Sequence, residues 1–200
     1  MSDIPRLYPE AHCIVAAPGP SLTADVVEKL RSVKDRYAII GVGDTYRAID
    51  FLDEHYACDD RWWKVHGPTI NQTRPGLRSW CYDPGGADYG AIKVQGANKP
   101  GFSTDSKEIH FGSNSGYQTL NLCYLWGFSR MLLVGFNMQK LGGNSHFFTG
   151  RDPTLNNNSP YPNFSKRFNT IQPDIKKIII NCTPQSALVA FRKANLDDMI

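Results

Sequence analysis

Short, almost wholly apolar runs of strand length, spaced by segments with helical periodicity, constrain this chain more than any other feature. Residues 12–17 (HCIVAA), 37–42 (YAIIGV), 130–136 (RMLLVGF) and 178–181 (IIIN) show no polar alternation. Strands of this kind must be covered on both faces. Between them, Leu22, Val26, Val27 and Leu30 recur at helical spacing. A second helix opens at 113–116 (SNSG) and runs through Leu120 and Leu122 to Trp126, with Gly127 as its stop. Residues 164–177 repeat the pattern through Phe164, Phe168, Ile171 and Ile175, with Pro173 as a dividing point. Weaker strand signals lie at 55–58, 91–94 and 109–111, and a closing helical turn is expected at 186–191. The alternation predicts a single α/β domain over 1–200, Rossmann-like and doubly wound. Its mostly parallel sheet would carry helices on both faces. The polar stretch 137–163 reads as a long, lid-like loop of the kind that usually serves function, and it contains a small tract at Asn156, Asn157 and Asn158.

Bulk properties narrow the class. Two hundred residues suffice for one buried core. A net charge of +3 permits an anionic ligand without demanding nucleic acid, because no Lys/Arg-rich run accompanies it. The five cysteines (Cys13, Cys58, Cys81, Cys123, Cys182) are scattered and odd in number, which argues against a disulfide framework or a structural zinc site. No basic segment precedes a long apolar run near Met1, and no stretch approaches the roughly 20 apolar residues of a membrane span. A cytoplasmic protein without a membrane partner is expected.

Candidate chemistry gathers where strands should end. Gly19, Pro20 and Ser21 follow the first strand. Gly19 would let a ligand approach the backbone, Pro20 suits a helix start, and the N–H groups there favour an anion. Asn114, Ser115 and Gly116 form a second such turn. For each, the plain alternative is an ordinary helix cap. Asp44, beyond the second strand, stands where doubly wound folds grip a ribose hydroxyl, or else it caps a turn. Asp59, Trp62, Trp63 and His66 follow the third strand. The paired tryptophans offer stacking surfaces for a base or sugar, or they pack into the core. His146 lies in a Gly-rich part of the lid, and lids bring groups onto bound substrates. No metal-binding spacing, nucleophile elbow or Ser-His-Asp order is present.

These residues resemble two related groups. One is the bacterial sialyltransferase family with a Rossmann-like fold. The other is the hydroxymethylpterin pyrophosphokinase-like family, which includes motility accessory factors. The likeness rests on Gly19-Pro20-Ser21-Leu22, on Ser115-Gly116 opening a helix, on Trp126-Gly127-Phe128 leading into Leu132–Met138 with Asn137, and on Pro184-Gln185-Ser186-Ala187-Leu188. Asp44-Thr45-Tyr46-Arg47, Cys58-Asp59, Trp62-Trp63, His66 and Ser145-His146 are similar to phage-type members of the superfamily. The chain departs from the common pattern at Pro18, Asp44 and Asn137, all where a ligand would be read.

The resemblance implies a glycosyltransferase-like enzyme with a nucleotide-activated sugar donor of CMP or UDP type and no essential metal or other cofactor. It assigns Gly19, Pro20, Ser21, Asn114, Ser115 and Gly116 to the nucleotide and His146 to the acceptor proton as base; Asp44 and Asn137, where the ligand would be read, are placed with the nucleotide by their position. Asp59, Trp62, Trp63 and His66 are left to the substrate. Two helix N-termini would stabilise the leaving phosphate. Two alternatives stay open: an ATP-dependent pyrophosphokinase-like enzyme, with Mg²⁺ between Asp44 and Asp59, and a non-catalytic nucleotide-binding phage accessory protein. The acceptor, nucleic acid included, and the oligomeric state are also open.

Overall fold

Each strand pair of the sheet is parallel, as the apolar runs require. The structure, a computed structural model, describes residues 3–82, 84–155 and 159–200; the tract at 156–158 lies outside them. In chain order the elements are β1 (His12–Ala16), α1 (Ala24–Ser32), β2 (Ala38–Val42), β3 (Glu54–Tyr56), α2 (Asp60–Thr73), β4 (Ser79–Cys81), α3 (Pro84–Ala87) and β5 (Ile92–Lys93). They continue with β6 (Gln95–Ala97), β7 (Glu108–His110), α4 (Ser115–Trp126), β8 (Arg130–Val134), α5 (Tyr161–Asn169), α6 (Pro173–Lys176), β9 (Ile179–Asn181) and β10 (Arg192–Lys193). Eight strands form one sheet in the order β10-β9-β8-β1-β2-β3-β4-β5, and β6 and β7 pair separately. The chain winds outward from β1 to β5, then returns to add β8 on the other side of β1. The order therefore reverses between β1 and β8, where a doubly wound sheet opens a crevice at its carboxyl ends.

Side-chain alternation explains why β1 and β8 are apolar from their second residues on. Cys13, Val15, Met131 and Leu133 face one core with Leu120, Cys123 and Trp126 of α4. Ile14, Ala16, Leu132 and Val134 face the other with Val27 and Leu30 of α1. Each fully buried Leu or Ile here contributes roughly 2 kcal/mol over exposure. At the opposite end of the sheet from the strand carboxyl ends, fully buried Glu54 accepts from the Arg78 guanidinium, from Trp80 Nε1 at 2.7 Å and from the Tyr8 hydroxyl at 2.8 Å. That ion pair fastens β3 to β4 and raises the Arg78 pKa through its hydrogen bonds to Glu54.

Several expectations need correction. Residues 60–73 form a helix that the periodicity did not announce, because Gly67 and Pro68 stand inside it and Pro removes one backbone hydrogen bond. Short strands β4 and β6 also had no signal. The segment 164–177 is two helices, α5 and α6, divided before Pro173, and α5 starts at Tyr161, so the lid-like loop is shorter than 137–163. Residues 186–191 are not helical. Ser186 Oγ donates to Phe136 O and accepts from Leu188 N, which holds this stretch extended beside the end of β8.

Candidate active site at the strand carboxyl ends

Residues following β1, β2, β3 and β8 line a two-chambered cleft. The first chamber, about 220 Å³, lies at the β1/β8 reversal against Ala17, Pro18, Gly19, Gly135, Phe136 and Asn137. The second, about 400 Å³, extends towards α2 past Asp44, Cys58, Asp59 and Trp62. Pro18, Val42, Asn114, Ser115 and His146 belong to both walls.

The two glycine-bearing turns play different parts. Gly19 donates its N–H to Gly135 O at 3.1 Å. A Cβ on Gly19 would fall 2.1 Å from that oxygen, and one on Gly135 (φ +73°) would fall 2.0 Å from Ala17 O. Chain-to-chain contact, rather than ligand approach, is thus what demands glycine here. Pro20 is the second residue of a turn closed by Leu22 N to Gly19 O, not the first residue of a helix. Ser21 does not cap α1 either. Its N–H and hydroxyl bind Asn137 Oδ1 at 3.2 and 2.8 Å, while Thr23 caps the helix through Val26 N. Asn137 is buried, and its Nδ2 donates to Pro184 O, so its amide joins three segments. The start of α1 lines neither chamber, which corrects the expectation of two helix N-termini at the ligand.

The start of α4 does line them. Asn114 caps the helix by accepting from Tyr117 N at 2.8 Å. The N–H groups of Ser115 and Gly116, ahead of that cap bond, have no intrahelical partner. They bring the positive end of the α4 dipole to the cleft wall. The Ser115 hydroxyl bonds to Cys58.

In the second chamber, Asp44 is 2% exposed and sits in a 3₁₀ turn after β2. Its Oδ2 accepts from Trp62 Nε1 at 3.3 Å. Its Oδ1 stands 3.3 Å from His66 Nε2 but out of hydrogen-bond alignment, so both atoms lack a partner. Burial lowers the His66 pKa and Asp44 opposes the shift, and His66 Nδ1 pairs with the Tyr46 hydroxyl at 2.9 Å. His66 therefore backs Asp44 without lining either chamber. Trp62 lines the second chamber and lies over His66, with ring centroids 4.7 Å apart. Trp63 is core, its indole donating to Ala57 O at 2.9 Å. Asp59 lies at the mouth as the N-cap of α2, bonding Arg61 N. Behind this wall, burial pushes His55 down to about 4, and its Nε2 bonds Gly43 O.

His146 comes from the lid and lies on the wall of both chambers. Its place is fixed by its neighbours: Phe147 N donates to Pro18 O at 3.1 Å, and Arg47 lies over the Phe148 ring at 4.1 Å. Burial lowers the His146 pKa, Arg151 lowers it further, and Asp44 opposes. Both effects favour the neutral imidazole, the form able to take a proton. Arg151 carried no sequence signal, yet it reaches the second chamber, and its buried Nε has no partner. Among the described residues there is no group of three or more His, Cys, Asp or Glu side chains placed to hold a metal ion. Nor is any described helix long and apolar enough to cross a membrane.

No family model matches the chain, and no curated protein does. Among solved structures it is similar to the MAf glycosyltransferase from Magnetospirillum magneticum AMB-1. The TM-score is 0.64 at 14% identity, over 96% of this chain and 35% of that one. The chain thus spans about a third of that protein's length, and at this identity the likeness is one of fold.

Proposed function

We propose that the chain is a glycosyltransferase-like, metal-independent enzyme that binds a nucleotide-activated sugar, of CMP or UDP type, across the two chambers. One observation carries this reading: the open start of α4 and the imidazole of His146 meet on a single cleft at the β1/β8 reversal. That is where doubly wound sheets bind nucleotides. The shared fold with a protein named as a glycosyltransferase supports it.

In the proposed step, an acceptor hydroxyl oxygen bonds to the anomeric carbon and its proton passes to His146. The bond from that carbon to the donor phosphate oxygen breaks, and the electron pair leaves with the phosphate. The N–H groups of Ser115 and Gly116 stabilise the departing charge. Trp62 and Asp44 line the space left for the sugar.

The test is a thermal-shift panel of CMP, UDP, GDP and ATP, with and without Mg²⁺, together with mass spectrometry of nucleotides retained on purification. CMP or UDP stabilisation without Mg²⁺ is expected. His146→Ala should then keep nucleotide affinity and slow donor hydrolysis or transfer by about 10²-fold or more. Loss of both properties, or of neither, would remove His146 from the role of base. Stabilisation by ATP only with Mg²⁺ would shift the reading to pyrophosphoryl transfer, and tight binding without product to a non-catalytic nucleotide module.

A further inference from the structure

A third chamber of about 460 Å³, formed within the lid, shares His146 with the cleft. Its walls include Lys140, Ser145, Thr149 and Arg151, and no acidic side chain among the described residues contributes to them. Arg151 is the unusual member. Its Nε is buried and has no hydrogen-bond partner. The neighbouring carboxylate, Asp152, accepts from the Thr154 N–H at 2.8 Å and from the Thr154 hydroxyl. Asp44, which lines the second chamber with Arg151, accepts from Trp62 through Oδ2 and sets Oδ1 3.3 Å from His66 Nε2. The planar fork of donors on a guanidinium fits an oxygen pair of a phosphate or carboxylate.

We infer that this lid chamber is an acceptor subsite in which Arg151 binds an anionic oxygen group, phosphate or carboxylate, of the molecule that receives the transferred sugar. The placement makes chemical sense of the layout. His146 forms a wall of the lid chamber and of both cleft chambers. An acceptor anchored by its anion at Arg151 would present a hydroxyl to His146 while the donor occupies the cleft. Lys140 adds positive charge at the chamber, while Ser145 and Thr149 supply polar groups to its walls. The acceptor role rests on the proposed donor in the cleft; the anion site itself does not.

Inorganic phosphate is the probe. It is titrated by calorimetry into the whole chain, with and without saturating CMP, or UDP if that is the nucleotide retained. Phosphate is expected to bind in both conditions. Arg151→Met should weaken it at least tenfold while leaving the melting temperature unchanged. Arg151→Lys should recover part of the loss, and Lys140→Met should cost about two- to threefold. No phosphate binding, or binding indifferent to Arg151→Met, would overturn the anion site. Phosphate displaced by the nucleotide would overturn the acceptor assignment, because the site would then belong to the donor phosphate. Phosphate bound through Arg151 by a chain that binds no nucleotide would sink the donor reading and keep the anion site.

Discussion

The turn after β1 and the turn before α4 look alike as sequence, since each sets glycine and serine ahead of a helix. In the fold they are opposites. Residues 17–21 form a closed seam: Gly19 rests on Gly135, and Ser21 is bound twice by Asn137. Residues 112–116 form an open edge, where one side chain caps the helix and the first N–H groups stay available at the cleft. A glycine-rich turn in a doubly wound sheet can therefore serve the chain or the ligand. The deciding fact is what occupies the space beside its backbone.

The largest expected effect tests the seam. Gly19→Ala puts a methyl group 2.1 Å from a carbonyl oxygen that β8 holds rigidly. It should cost about 3 kcal/mol or more, read as a lower midpoint in urea. A loss under about 1 kcal/mol would mean that the seam is looser than described.

Acid should separate the two sides next. His55 is buried behind the second chamber with its pKa near 4, against about 6.5 in the unfolded chain. The unfolded state therefore binds more protons between these values. Stability should fall as pH drops from about 6.5 towards 4, by up to about 3 kcal/mol. Hydrogen exchange over this window should show amides of 43–47 and 60–67 losing protection before those of 17–21. A stability profile flat from pH 7 to 4 would contradict the burial of a neutral His55.

The smallest effect compares the two caps. Asn114→Ala and Thr23→Ala should each cost about 1 kcal/mol or less. Only Asn114→Ala should also weaken the proposed nucleotide, seen as a smaller thermal shift. Equal effects of the two variants on the nucleotide would erase the distinction between seam and open edge.

Much of the frame was legible in the residues because its signals are local. Apolar runs marked β1, β2, β8 and β9, and Gly127 ended α4 in the left-handed conformation its position requires. The missed α2 shows the limit. Gly67 and Pro68 argue against a helix locally, yet Trp62, Trp63 and Ile70 bury enough surface to hold one. The site was legible as a set of strand ends but not as a set of roles. Asn137 and Ser21 read as ligand contacts because nothing in one dimension shows that they bind each other. Arg151 escaped notice in an aperiodic polar stretch, since its value depends wholly on the path of the lid. Trp62 and Trp63 differ only in which side of α2 they face, one towards the chamber and one into the core.

The seam also sets a schedule. Ser21 and Asn137 stand 116 positions apart, and β1 finds its partner β8 only across most of the chain. Contacts that distant form slowly and late. During synthesis, β1 must wait beside β2 with one edge unpaired until β8 has left the ribosome. The wall of the cleft thus waits on the second half of the chain. Any ligand that settles at Gly19 and Asn137 will bind only molecules in which β8 has joined β1, and will shelter that joint.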